Sequence, residues 1–308
     1  MSTALTISRI ALGCGNFGGI GSAPEFFGRG LDEGQAFELM DAAWESGITH
    51  FDTADAYGGG RSERSIGRWI ASRGVRPQLT TKTYNPMEAG ADRGLAPERI
   101  ARQLGTSLER LGVDRVELYL THEFDPEVPL EESFGAMARA RAQGLIGAYG
   151  VSNFGAPQLA AALEAGAPEA IQNSYSLLRR QDEDELLALC AQRGVAYLAF
   201  SPLAGGWLTG KYRRGEPFPA GSRMGQRPEP YRSLVTDRTF DALARLELMA
   251  AQRGVSLAGL ALAWLLADER VTQIVIGPGR PEHLAPVREA LMHPLTPQER
   301  AAAESAVA

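Results

Sequence analysis

Apolar residues recur along the chain in two rhythms. One is a helical stripe, as in Phe37, Met40, Ala43 and Trp44, or Ile100, Leu104, Leu108 and Leu111. The other is a short apolar run with the character of a buried strand, as over 116–122 and 146–152. The two alternate in a repeated unit: a helix ending in Gly, a short link, then a strand. Gly47, Gly74, Gly112, Gly144, Gly166 and Gly194 each close a helix and precede strands predicted over 50–54, 78–83, 116–122, 146–152, 170–173 and 196–201. Strands over 9–13 and 273–277 bring the total to eight. Helix starts are marked as clearly as the ends. Asp32 with Gln35 three residues on forms a capping box, and Pro97 opens a helix over 97–111. Two further helices are predicted over 237–253 and 256–267, another beyond Gly277 and a short amphipathic one from Thr296.

Strands that alternate with helices imply an all-parallel sheet covered by helices. At this length a closed (β/α)8 barrel in one domain fits better than an open sheet. The polar residues then acquire a common address. Asp52, Lys82, His122, Ser152, Asn153, Gln172 and Ser201 fall at the C-terminal ends of successive strands. Those ends converge on one mouth of a barrel, where barrel enzymes carry their chemistry.

Composition narrows the choice of function. A net charge of −6 argues against nucleic acid or a membrane surface as the main partner. No apolar run reaches the roughly 18 residues needed to span a bilayer. The first residues lack a basic segment followed by an apolar one, so a cytoplasmic protein is expected. Two cysteines and four scattered histidines offer neither a disulfide framework nor metal-ligand spacing. Of 31 basic residues only Lys82 and Lys211 are lysine. A compact ammonium whose pKa can shift is something guanidinium cannot replace.

Gly13, Cys14, Gly15, Asn16, Phe17 and Gly18 match the dinucleotide fingerprint G-x-G-x-x-G. That fingerprint requires a helix to follow at once, and here 19–31 reads as loop, so it is taken as a strand-end loop beside a pocket. A long stretch over 204–236, rich in Gly, Pro and Arg, follows the seventh strand. Arg213, Arg214, Arg223, Arg227 and Arg232 within it suit a phosphate-facing lid. Tyr57 closes the turn after Asp52. With Lys82 beside it, its phenol is expected to titrate nearer neutrality and to protonate a carbonyl oxygen, while His122 donates a second hydrogen bond. A hydride must then come from a bound cofactor.

Phe51-Asp-Thr-Ala-Asp-Ala-Tyr57-Gly, the Lys82 strand, Leu118-Tyr-Leu-Thr-His122, Gly150-Val-Ser-Asn-Phe154 and Ser201-Pro-Leu together resemble the aldo-keto reductase family, in order and spacing over nearly the whole chain. The resemblance implies a barrel that binds NADP(H), with NAD as the alternative, extended across its mouth. It implies a catalytic tetrad of Asp52, Tyr57, Lys82 and His122 with Tyr57 as general acid, acting on a small carbonyl substrate. Ser152, Asn153 and Gln172 would hold the nicotinamide carboxamide, and Phe200 would stack on the ring. Ser201, Pro202, Leu203, Gly205, Leu208 and Lys211 would clasp the pyrophosphate. Gly277, Gly279, Arg280 and His283 would face the adenosine phosphate, and Gly13, Cys14, Gly15 and Arg223 complete the cofactor set.

The chain departs from the family at three places. Gly279 stands where a basic residue is frequent, and Val287 where an adenine-binding Asn is common; both bear on the choice between NADP and NAD. The N-terminal hairpin is shortened. Phe17, Phe26, Phe27, Tyr84, Glu123 and Trp207 are the expected pocket lining. Two other functions compete with reduction: a lyase with Lys82 as Schiff-base nucleophile, and a cofactor-sensing subunit of a membrane protein.

Overall fold

The computed structural model describes residues 5–307. Eight strands, β1 (Ile10–Gly13), β2 (His50–Asp52), β3 (Gln78–Thr83), β4 (Val116–Thr121), β5 (Ile146–Ser152), β6 (Ala170–Ser174), β7 (Ala196–Phe200) and β8 (Val271–Ile276), pair in sequence order into a closed, all-parallel barrel. Closure is through β1 and β8, with Ile10 opposite Ile274 and Leu12 opposite Ile276. Around it run α1 (Glu33–Glu45), α2 (Arg61–Arg73), α3 (Pro97–Leu111), α4 (Leu130–Ala142), α5 (Ala156–Ala165), α6 (Leu186–Arg193), α7 (Arg223–Gln226), α8 (Asp237–Gln252), α9 (Leu257–Leu266), α10 (Ala285–Met292) and α11 (Pro297–Val307).

The local signals act as expected. Asp32 and Gln35 exchange both bonds of the capping box at α1. Gly74, Gly112 and Gly194 end their helices near φ +65°, a conformation that Gly adopts without steric cost. No single helix among the described residues is long and apolar enough to cross a membrane. The apolar α9 is buried from Leu257 to Leu265 against the barrel.

Two-residue alternation divides the core. Phe51, Leu79, Tyr119 and Val151 face outward to the helices, Phe51 meeting Trp69 of α2 at 5.2 Å between ring centres. Leu118, Leu120, Ala148, Ala170 and Leu198 fill the barrel interior, with Leu5 and Ile7 packed on them. Among the described residues no strand precedes β1, so these two side chains pack there in place of the hairpin; residues 1–4, also part of that expectation, lie outside the described residues. The region 204–236 is not one loop. It folds into two 3-10 turns, Ala204–Thr209 and Glu229–Leu234, on either side of α7.

Candidate active site

The parity that sends Phe51 outward sends Asp52 inward, and the register aligns Gly13 with Asp52 across β1 and β2. On β3, Lys82 points inward between the outward-facing Thr81 and Thr83. Its ammonium donates to Asp52 Oδ1 at 2.5 Å and to the Thr53 carbonyl at 2.8 Å, while Gln172 Nε2 donates to the other oxygen of Asp52 at 2.7 Å. Ser152 Oγ donates to the Gln172 carbonyl at 2.7 Å, and Asn153 Nδ2 to the His122 carbonyl at 3.0 Å. Tyr57 lies over this layer. Its ring centre is 5.1 Å from Lys82 Nζ and 5.4 Å from the His122 ring, which meets it edge-on. A Cβ on Gly15 would touch the Tyr57 ring at 3.4 Å, so that loop packs on the phenol. Residues from six strand ends thus meet in one place.

The electrostatics correct one expectation. Burial raises the Tyr57 pKa above its ordinary value, and the opposing pull of Lys82 does not overcome it. The ammonium is already engaged by Asp52, so its field on the phenol is partly spent. Tyr57 therefore stays protonated at neutral pH, the form an acid must hold. Burial alone would depress Lys82, but the charges of Asp52 and Tyr57 and their hydrogen bonds outweigh it and the pKa is raised. An ammonium held charged in this way is a poor nucleophile, which weighs against a Schiff-base lyase. His122 is held neutral, its pKa lowered to about 3 by burial and then by Lys82, and its Nδ1 is buried without a hydrogen-bond partner among the described residues.

Below this layer lies a polar one not foreseen from sequence. His50 Nε2 bonds Thr80 Oγ1 at 2.8 Å, and its Nδ1 faces Gln273 Nε2 at 2.9 Å. The signal was present: His50 and Gln273 are polar residues at inward positions of otherwise apolar strands. Outside β3, two buried carboxylates brace the strand around Lys82. Glu63 accepts from Thr81 Oγ1 at 2.7 Å and Asp55 from Thr83 Oγ1 at 2.8 Å. Arg110 and Arg99 close this brace, on Glu63 at 3.2 Å and Thr83 Oγ1 at 2.9 Å.

Across the mouth, Ser201 and Ala204 join Gly205 and Gly206 at positive φ, turning the chain tightly after β7. Ser201 Oγ meets the Tyr231 hydroxyl at 3.0 Å, and any Cβ on Gly205 would overlap the Tyr231 ring. Tyr231 is thus a rim residue the sequence reading missed. Trp207 and Leu208 are fully buried, with Trp207 packed on Tyr212, Phe218 and Phe240. Phe17 is also fully buried. Neither Phe17 nor Trp207 is therefore a lining residue, while Phe26, Phe27, Tyr84 and Glu123 remain partly exposed. Cys14 is buried beneath the Gly-rich loop, its thiol pushed well up by burial and then by Asp52.

The five arginines of 204–236 do not form one lid. Helix α8 and its neighbours supply carboxylates to most of them: Glu247 to Arg213, Asp237 and Asp241 to Arg214, and Glu229 to Arg232. Arg227 bonds the Ile20 carbonyl at 2.9 Å and covers Phe26, tying this region to the Gly-rich loop. Arg223 and Lys211 have no carboxylate partner among the described residues. Lys211 is lowered by burial and then by the charges of Arg223 and Arg280. Arg280 in turn bonds His283 Nε2 at 3.0 Å, and the Gly279 N–H donates to His283 Nδ1 at 3.2 Å. Gly277 and Pro278 lie in the same loop, joined to the first strand's loop through Asn16 Nδ2 and the Pro278 carbonyl at 2.9 Å. Val287 is buried against Ile10, Leu262 and Ile276, so it belongs to the core.

The sequence model of the Aldo/keto reductase family matches residues 9–308. L-glyceraldehyde 3-phosphate reductase from Escherichia coli O157:H7 is 35% identical over 263 residues, covering 80% of this chain and 75% of its own. A probable voltage-gated potassium channel subunit beta from Oryza sativa subsp. japonica is 33% identical, covering 82% and 80%. Among solved structures, the glycerol dehydrogenase AKR11B4 from Gluconobacter oxydans superposes with a TM-score of 0.83 at 27% identity, covering 97% of this chain and 91% of the other.

Proposed function

From the premise that the chain belongs to the aldo-keto reductase family, we propose that it reduces a small aldehyde or ketone to the alcohol with NADPH, and that Tyr57 gives the proton. The observation that carries this reading is the phenol of Tyr57 lying over an ammonium that Asp52 holds charged, with a neutral imidazole at its edge. Tyr57 protonates the carbonyl oxygen as negative charge builds there. Lys82 stabilises the phenolate left behind, and Asp52 keeps Lys82 charged and aimed. Neutral His122 orients the same oxygen by donating a hydrogen bond.

The residues present fit a nicotinamide dinucleotide. Lys211, Arg223 and Arg280 gather positive charge, with no carboxylate on Lys211 or Arg223 among the described residues, as a phosphate requires. The left-handed turn through Gly205 and Gly206 lets backbone approach closely. Ser152, Asn153 and Gln172 offer amide and hydroxyl groups beside Asp52, and Phe200 an aromatic face. When bound, the cofactor supplies a hydride to the carbonyl carbon. Gly13, Cys14, Ser201, Pro202, Leu203, Gly277 and Gly279 supply the surrounding backbone.

Loss of the reduced cofactor's absorbance with a panel of small aldehydes and ketones tests the reading. NADPH is expected to bind about tenfold or more tighter than NADH by intrinsic fluorescence, a gap of about 1.4 kcal/mol. Arg223→Ala is expected to narrow that gap. No turnover on the whole panel would overturn the assignment. The rice relative supports a second reading, a cofactor-sensing subunit of a membrane protein; stable co-purification with a partner and negligible turnover would favour it.

A further inference from the structure

Glu123 follows His122 directly and is set on a rigid segment. The His122 N–H bonds the Thr83 carbonyl at 2.8 Å, Phe124 packs edge-on against Phe154 at 5.3 Å, and buried Asp125 accepts from the Leu95 and Glu127 N–H groups at 2.8 and 3.0 Å. One Glu123 oxygen accepts from Asn153 Nδ2 at 3.2 Å, the amide that also bonds the His122 carbonyl. The other accepts no hydrogen bond from the described residues, and no cation among them pairs with the carboxylate. Burial alone pushes its pKa up to about 7. A half-buried carboxylate without a cation gains by meeting a hydroxyl or an ammonium and loses by meeting an anion. The mouth is thus divided: positive around Lys211, Arg223 and Arg280, negative where His122 meets Glu123.

We propose that Glu123 selects the carbonyl substrate by charge, admitting small carbonyl compounds that bear a hydroxyl or ammonium group and rejecting phosphorylated or carboxylated ones. The inference rests on the reductase reading. A carbonyl oxygen between Tyr57 and His122 leaves its substituents beside Glu123. There a hydroxyl can donate to the free oxygen, while a phosphate meets a like charge that no cation among the described residues pairs with.

The test compares kcat/KM with NADPH at pH 8, where Glu123 is ionised, for glyceraldehyde 3-phosphate, glyceraldehyde and trimethylammonioacetaldehyde. The native chain is expected to prefer glyceraldehyde over its phosphate by about tenfold or more, and Glu123→Gln to narrow that ratio by about tenfold. The same substitution lowers the cationic aldehyde relative to glyceraldehyde. Glu123→Ala must move both ratios in the same sense, so that a folding defect in one variant cannot decide the result. Ratios equal in native and variant chains, or a native preference for the phosphate, overturn the inference while leaving the reductase reading intact. No turnover on any of the three overturns the reductase reading and this inference with it.

Discussion

Replacing Lys82 by Met removes the only charge that pairs with Asp52 among the described residues, in a layer closed to water where the two side chains are 0% and 3% exposed. Asp52 would keep one neutral donor, Gln172 Nε2 at 2.7 Å, in place of the ammonium at 2.5 Å. Breaking a buried pair from one side costs about 3–5 kcal/mol, because a charge is left uncompensated. Against a total stability of roughly 5–15 kcal/mol this is a large loss. It should shift the urea midpoint by about 1–2 M, given a slope of a few kcal/mol per M for a domain of this size. Removing both charges in Lys82→Met/Asp52→Asn should recover most of the loss, since no buried charge is then left uncompensated. Urea unfolding followed by tryptophan fluorescence and far-UV circular dichroism measures all four corners of this cycle. A double variant as unstable as Lys82→Met would show that lost packing governs this layer and would refute the electrostatic argument. Both variants should lose turnover, so the cycle separates the fold's need for the pair from the chemistry's need.

Two further outcomes follow from the buried titrating groups. Asp55 has its pKa raised from 3.8 to about 7, first by burial and then by Glu63. The folded chain therefore binds this proton more readily than the unfolded one, and the stability it contributes is lost as pH rises from about 4 to about 7. Asp55→Asn should gain stability relative to the native chain across that window in thermal melts; a pH-independent difference would contradict it. In the Glu123→Gln chain, kcat for an uncharged carbonyl at saturating cofactor should show no break near pH 6.5, because His122 titrates only near 3. It should also stay level through pH 9, because burial raises Tyr57. A histidine-like break would contradict the neutral role of His122.

The barrel and its rim were legible because β2 to β7 each carry a polar residue where they leave the sheet, and most of the helices are punctuated by Gly or a cap. The predicted bounds of β3, β5 and α3 coincide with the structure. What pattern could not show was competition between groups. Pairing Lys82 with Tyr57 foretold the contact, but the contest between Asp52 and desolvation decides the direction of the tyrosine's shift, and it depends on burial that sequence does not carry. The arginines of 204–236 looked alike in sequence, yet α8 brings Glu247 and Asp241 to two of them and leaves Arg223 free of any carboxylate among the described residues. Tyr231 escaped notice because an aromatic in an irregular segment has no periodicity to give it a direction.

Delivery of the proton by the phenol of Tyr57 is tested most directly by stopped-flow measurement of a single turnover by Tyr57→Phe, with NADPH and an uncharged aldehyde. The predicted result is a fall of about 10²–10⁴-fold in the reduction step with cofactor affinity and the unfolding midpoint unchanged. Reduction at the native rate would contradict it.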